Sequence, residues 1–218
     1  MIQQNICKQC GTCCEKGGPA LHSQDLDLIK QGLFSFDQFI TIRKGELAHD
    51  PVKNSIEPVK DELVKIRGIK GAWTCCFYNK NQHGCTIYDH RPLACKVLKC
   101  WDTDGILELS GKDLLSRLDI VEKSSPLREK IVEHEQLFPC PDMKAISRKA
   151  SRLSKKKVKN FEGIINGDLT YRTNTVGEFG LSVSEELFYF GRPIFQLFQS
   201  LGFTIRETSA GIRLKRRD

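Results

Sequence analysis

The sequence predicts an α+β fold, mainly helical with short strands and irregular loops, in which a cysteine-rich domain is followed by a basic helix–hairpin segment. Three observations lead there. Nine of the ten cysteines fall in two tight groups, Cys7, Cys10, Cys13, Cys14 and Cys75, Cys76, Cys85, Cys95, Cys100. Residues 1–140 hold 19 Lys+Arg and 19 Asp+Glu, whereas residues 141–218 hold 15 and 8 and supply the whole net charge of +7. The C-terminal stretch passes from an apolar period of three to four into strict alternation, the change from helix to strand. The chain therefore divides into residues 1–140, a cysteine-cluster domain, and residues 141–218, a basic helical and β-hairpin extension. A length of 218 residues suits one compact domain with such an appendage.

Each element has its own justification. The first cysteine group lies in a loop with Gly11 inside it and Gly17, Gly18 and Pro19 after it. Glycine permits the tight turns that bring backbone amides toward sulfur. A short helix is expected from Ser23, with Asp25 and Asp27 in its first turn, Leu26 and Ile29 facing inward and Gly32 at its end. Ser35-Phe36-Asp37-Gln38 has the capping-box pattern and predicts a second short helix through Ile40. Residues 45–58 have turn character, and Leu63-Val64-Lys65-Ile66 reads as a strand. Ser110 and Asp113 are candidate caps for a helix carrying Leu114, Leu115 and Leu118.

Ser125-Pro126 is a stronger helix start, with Pro at the first helical position. Ile131, Glu135 and Phe138 share one flank of that helix, and Pro139 and Pro141 stop it. Residues 143–159 read as one basic helix. Ile146, Ala150 and Leu153 form its apolar stripe; Lys149, Arg152, Lys155, Lys156, Lys157 and Lys159 fill the rest. Another helix is expected from Ser184, with Leu187, Phe190, Ile194, Leu197 and Leu201 on one face and a kink or split at Gly191 and Pro193. Phe203-Thr204-Ile205-Arg206 and Ile212-Arg213-Leu214-Lys215, joined through Thr208-Ser209-Ala210-Gly211, predict a β-hairpin.

No apolar run approaches the length of a membrane span. Residues 1–7 lack a basic segment followed by an apolar one, so a cytoplasmic setting is expected. In a reducing compartment, clustered cysteines are metal ligands rather than disulfides. The cysteine-rich domain is thus expected to be organised by metal.

The C-x-x-C-x-x-C-C run of residues 7–14, the Cys76-Phe77-Tyr78 step, the Cys85-Thr86-Ile87-Tyr88-Asp89-His90-Arg91-Pro92-Leu93-Ala94-Cys95 string and the trailing Cys100 together resemble the CxxCxxCC zinc- or iron-chelating family, the cysteine-cluster proteins of the YkgJ type. The resemblance covers residues 7–100. It places Cys7, Cys10, Cys13, Cys14, Cys76, Cys85, Cys95 and Cys100 on motif positions and implies that they bind metal. Cys75 is adjacent to a motif position and can substitute for it. Cys140 lies outside, either as a ligand in a ferredoxin-like Cys-Pro context or as a buried free thiol.

Such a set can build two closed Cys₄ zinc sites, or an iron–sulfur cluster with the remaining thiols on a second metal or free. Thiolate softness suits both. Three cysteines at two-residue spacing look more like the ferredoxin run, so a 4Fe–4S cluster is the preferred cofactor and Zn²⁺ the alternative. Adjacent side chains such as Cys13 and Cys14 diverge unless the backbone bends sharply, so they serve different sites or one stands outside the ligand shell. Arg91, with Tyr88 beside it, is placed either to hydrogen-bond a cluster sulfur or to pair with Asp89 or a carbonyl. His83 and His90 lie near ligands, but the cysteines suffice. Asp102 and Asp104 read as turn residues, and His22, His49 and His134 as surface or packing residues.

The resulting function is a metal-binding cysteine-cluster protein with a structural, redox or sensing role. The alternatives are a protein- or RNA-modifying enzyme and a zinc-stabilised adaptor. The resemblance extends to flagellin lysine N-methylases, which implies S-adenosylmethionine and a protein lysine. However, no glycine-rich strand-to-helix loop is present, and C-x-x-C-x-x-C is not the C-x-x-x-C-x-x-C spacing of radical enzymes. The basic residues 148–159 are the candidate contact for a protein or RNA partner.

Overall fold

The computed structural model describes residues 6–69, 72–149 and 153–216. Residues 1–5, Ala150 and Arg152, on which some of the expectations above fall, lie outside that set. Helix exceeds strand, and the strands pair two by two rather than in one sheet.

The N-terminal part is a string of short elements. They are α1 (Thr12–Glu15), α2 (Leu26–Lys30), β1 (Phe39–Ile42), β2 (Leu47–Asp50), β3 (Ser55–Pro58), β4 (Leu63–Ile66), β5 (Tyr78–Asn79), β6 (Gly84–Cys85), α3 (Leu93–Val97), α4 (Asp104–Leu109) and α5 (Arg117–Ile120). The second part is helical: α6 (Pro126–Leu137), α7 (Met143–Lys149), α8 (Lys155–Phe179), α9 (Val183–Phe190) and α10 (Ile194–Ser200), closed by the hairpin β7 (Phe203–Thr208) and β8 (Gly211–Arg216).

Strand β4, helix α6, the split between α9 and α10 and the terminal hairpin stand where the sequence places them. Other expectations need correction. The capping box at Ser35 forms, with the Ser35 amide donating to Gln38, but it opens only one 3₁₀ turn. The β-branched run Ile40-Thr41-Ile42 that follows is better accommodated in a strand, and β1 pairs antiparallel with β4, Phe39 opposite Ile66. Residues 45–58 are not only turns; they fold into the hairpin β2–β3 nested inside that pair.

Leu114 and Leu115 are extended, not helical. Leu115 exchanges backbone hydrogen bonds with Leu21 and Val64, and the capping box belongs to Ser116 and Asp119 instead. The basic segment 143–159 is not one helix. Ser154 has extended backbone and caps a new helix, its hydroxyl accepting from the Lys157 amide.

Two apolar cores result. The first gathers Leu21, Phe34, Phe39, Val64, Ile66, Phe77, Tyr78 and Leu115 with Phe188, Tyr189 and Phe190 of α9, so it crosses residue 140. Phe188 stacks on Phe36 at 4.7 Å. The second gathers Met143, Ile146, Ile165, Ile194, Leu197, Phe198, Phe203 and Leu214.

Between the two cores runs a buried polar framework. A helix end leaves its last carbonyls without partners. The buried end of α9 has three satisfied by distant side chains: Thr41 Oγ1 donates to Phe188 O (2.5 Å), Arg117 Nη1 to Tyr189 O (2.7 Å) and Arg172 Nη2 to Phe190 O (2.8 Å). Arg117 also pairs with Glu62 and Glu135, and Glu135 in turn with Arg43 (2.9 Å). Arg172 pairs with Asp168 (2.8 Å), whose other contacts are His134 Nε2 (2.7 Å) and the Ile194 amide (2.9 Å).

Helix α8, about 37 Å long at 1.5 Å per residue, buries Glu162, Ile165, Asp168, Arg172 and Thr175. Four of these five are polar, so no apolar period announces residues 160–179. Gly167 lets α6 approach: a Cβ there would lie 2.6 Å from the Phe138 ring. Glu162 accepts from the Leu214 amide (2.9 Å), and Asn166 exchanges hydrogen bonds with Ile212 N and O (2.7 and 3.0 Å). Helix side chains thereby cover the outer edge of β8.

Candidate metal centre

The two cysteine groups come from loops that the rest of the chain ties together. Gly11 takes a left-handed backbone (φ 81°) and starts α1, which carries Cys13 and Cys14. It lies flat on Tyr78; a Cβ there would sit 2.0 Å from the phenol oxygen. The Cys75 amide donates to Cys14 O (2.8 Å), which joins the second group to the first. Tyr78 pairs with Cys85 across β5–β6. Cys95 rides on α3, whose Leu93 amide donates to Asp25 Oδ1 (2.7 Å). Asp25 is 2% exposed and also accepts from the His22 amide (2.9 Å), so it anchors the start of α3.

Five thiols share one neighbourhood: Cys13, Cys14, Cys75, Cys85 and Cys95. Cys13 is pulled down to about 6 by the hydrogen bond it accepts from Cys14, with Arg91 contributing, while burial opposes; the two sulfurs are 4.0 Å apart. Cys14 moves up because its proton is held in that bond, then through burial and the charges of Cys13, Cys75 and Cys85. Cys75 is raised by a hydrogen bond to Cys76 and by burial. Burial raises Cys85, helped by Cys75 and Cys13. It pushes Cys95 up to about 12, with Cys75, Cys85 and Cys13 adding.

The other cysteines are placed differently. Cys10 is exposed, contacts Thr12 (3.4 Å) and feels Cys13. Cys7 and Cys100 are exposed. Cys76 is lowered by the Cys75 hydrogen bond and, against burial, by Arg67. Cys140 packs on the second core and is pushed up to about 12 by burial and then Glu46.

Arg91 lies against the neighbourhood. Its guanidinium carbon is 3.6 Å from the centroid of the Tyr88 ring, a cation–π contact. It lowers Cys13 and Cys85, and its Nε is buried without a hydrogen-bond partner. A buried donor with no acceptor is costly. A thiolate or sulfide sulfur at the adjoining centre would accept it, so the residues present fit a soft metal. Among the described residues, no three His, Cys, Asp or Glu groups close on a point where one ion would sit.

His83 and His90 are exposed. Asp102 accepts from the Asp104 amide (3.3 Å) at the start of α4 and is a turn residue. His22 and His134 are not surface residues: the first bonds Lys112 O (2.8 Å), and the second belongs to the buried framework. Cys75 is the group that motif spacing underweights. Vicinal cysteines have equal claims in sequence, and only the backbone path shows which one points inward.

Residues 6–111 match the CxxCxxCC family model, described as "Putative zinc- or iron-chelating domain". Neither the curated proteins nor the solved structures yield a match to the chain. The matched segment spans both cysteine groups and all of the neighbourhood just described. Residues 6–111 are thus similar to the CxxCxxCC zinc- or iron-chelating domain, which makes this a metal-binding cysteine-cluster protein.

Proposed function

We propose that the chain holds an iron–sulfur cluster, of the 4Fe–4S type, on thiolates drawn from both cysteine groups. The observation that carries this reading is the buried, unpartnered Arg91 Nε beside Cys13, Cys85 and Cys95. A cluster offers sulfide as well as thiolate sulfur to such a donor. The run of Cys7, Cys10 and Cys13 at two-residue spacing favours the same assignment over a closed zinc site.

Cys13, Cys75, Cys85 and Cys95 are the ligands we assign first, with Cys14 and Cys10 next to them. The remaining motif cysteines, Cys7, Cys76 and Cys100, serve a second ion or close the loops over the first. Arg91 donates to a sulfur of the centre and offsets its negative charge. The role is structural, redox or sensing, in a reducing cytoplasm. Lysine methylation with S-adenosylmethionine has no residue pattern in its support.

Anaerobic purification followed by metal and sulfide analysis tests the reading. A brown protein with about four iron and four sulfide per chain is expected. A colourless protein with stoichiometric zinc overturns it and makes the centre a closed Cys₄ site.

A further inference from the structure

We infer that the first turns of α8, together with the basic end of α7 that precedes them in the chain, bind the phosphodiester backbone of a nucleic acid. Between residues 143 and 161 the chain has eight Lys and Arg and no Asp or Glu. Arg148, Lys149, Lys155, Lys156, Lys157 and Lys159 are exposed. Nearby ion pairs use other cations, Lys144 with Glu57 and Arg213 with Glu162. Among the described residues, none of the six has a side-chain partner. Arg216 donates to Leu153 O, which brings the basic end of the hairpin against the same turn.

These charges work against the helix that carries them. The N-terminus of a long helix has a positive potential that favours acidic side chains, yet the first turn of α8 has none. Lys155 and Lys159 stand one turn apart, where like charges repel. The acids that follow on the same helix are engaged elsewhere, because Glu162 and Asp168 are buried and occupied by the hairpin and by Arg172. Positive charge that costs the helix stability and makes no internal contact is explained by an external polyanion.

The surface favours phosphates over an acidic protein. Protein interfaces bury apolar and aromatic side chains at their centre, whereas nucleic-acid interfaces are polar and strongly positive. None of the exposed large hydrophobics among the described residues lies between 143 and 161.

The test uses the metal-loaded full chain and fluorescein-labelled RNA and DNA oligonucleotides of one sequence, read by anisotropy across a salt series. Binding is expected to weaken with log salt at a slope of about −3 to −5, as for release of a few counterions. Lys155→Gln/Lys156→Gln/Lys157→Gln should bind at least about tenfold more weakly and lose about 2 to 3 of that slope, with metal content unchanged and the melting temperature equal or higher. The matching Lys→Arg triple should retain binding, and Lys30→Gln should change nothing. The two oligonucleotides distinguish RNA from DNA, and binding to either supports the inference. Absence of saturable binding at low salt, equal binding by the Gln triple, or binding only to anionic vesicles or acidic proteins overturns it.

Discussion

The cysteine-rich part and the helical part of this chain are held together by different means. Residues 7–100 consist of loops and elements of two to five residues, with Cys7, Cys10, Cys13 and Cys100 at the surface. Residues 126–216 form longer helices over an apolar core, crossed by buried ion pairs. The first part is short of regular structure where its thiols are dense, which is where bound metal would add order. The second part has no clustered thiols, and apolar packing and ion pairs run through it. The framework between them, where Thr41, Arg117 and Arg172 cap α9, lets the helical part brace the first core.

Removing the metal should show the contrast most strongly. Structural metal sites contribute on the order of 10 kcal/mol to folding. Chelation should therefore abolish amide protection around residues 7–15 and 75–100 while leaving α8 and α10 protected, as hydrogen exchange can measure. Uniform loss of protection would show that the two parts fold as one unit. Cys85→Ser and Cys95→Ser should reproduce the loss. Loading should also expel protons, because Cys14, Cys75, Cys85 and Cys95 are all raised and must ionise to bind. Metal affinity is then expected to rise with pH in a competition titration.

Next in size is Arg172→Ala, which leaves Asp168 charged at 0% exposure and strips carbonyl partners from Phe190 and Gly191. A loss of about 3–5 kcal/mol is expected in denaturant unfolding. A loss below about 1 kcal/mol would mean that water replaces the guanidinium and that the framework does not brace the molecule.

Acid should act on the same framework. Burial brings His134 down to about 4 from its ordinary 6.5, against the pull of Asp168. The unfolded chain then binds a proton that the folded one refuses. Stability from His134 is complete above about pH 6.5 and is lost as pH falls toward 4. At about 1.4 kcal/mol per unit the loss is on the order of 3 kcal/mol. Asp168 is also lowered, burial opposing and His134 and Arg172 prevailing, so its contribution disappears at still lower pH. His134→Gln should flatten the upper part of this dependence.

The smallest effect belongs to Arg91. Arg91→Lys keeps a charge but loses the fixed Nε donor. It should weaken metal retention by about tenfold and leave the helical part unchanged. Unaltered retention would show that the buried Nε does not face the centre.

Particular residues show what could be read in the chain. The split between α9 and α10 was legible because Gly191 and Pro193 break a helix by their own backbone chemistry. The terminal hairpin was legible because alternation and a short turn are local. The cysteine motif was legible because spacing along the chain is what a metal loop requires. Helix α8 was not: its inward positions include Glu162, Asp168 and Arg172, which read as solvent-facing until partners from other elements are in place. The first half of strand β1, Phe39 and Ile40, carries a helix signal because the capping box before it is local, whereas the partner β4 is not.

Taken by itself, the sequence determined the cysteine motif of residues 7–100, the grouping of the thiols, the uneven charge and the elements bounded by glycine, proline or alternation, such as α6 and the terminal hairpin. These depend on residues close together in the chain. Only the tertiary structure decided that Cys75 points into the thiol neighbourhood, that Arg91 stands beside it with an unused donor, and that α9 belongs to the first core. Those outcomes depend on partners far apart in sequence, and a buried charge or thiol acquires its role only when the fold supplies its neighbours.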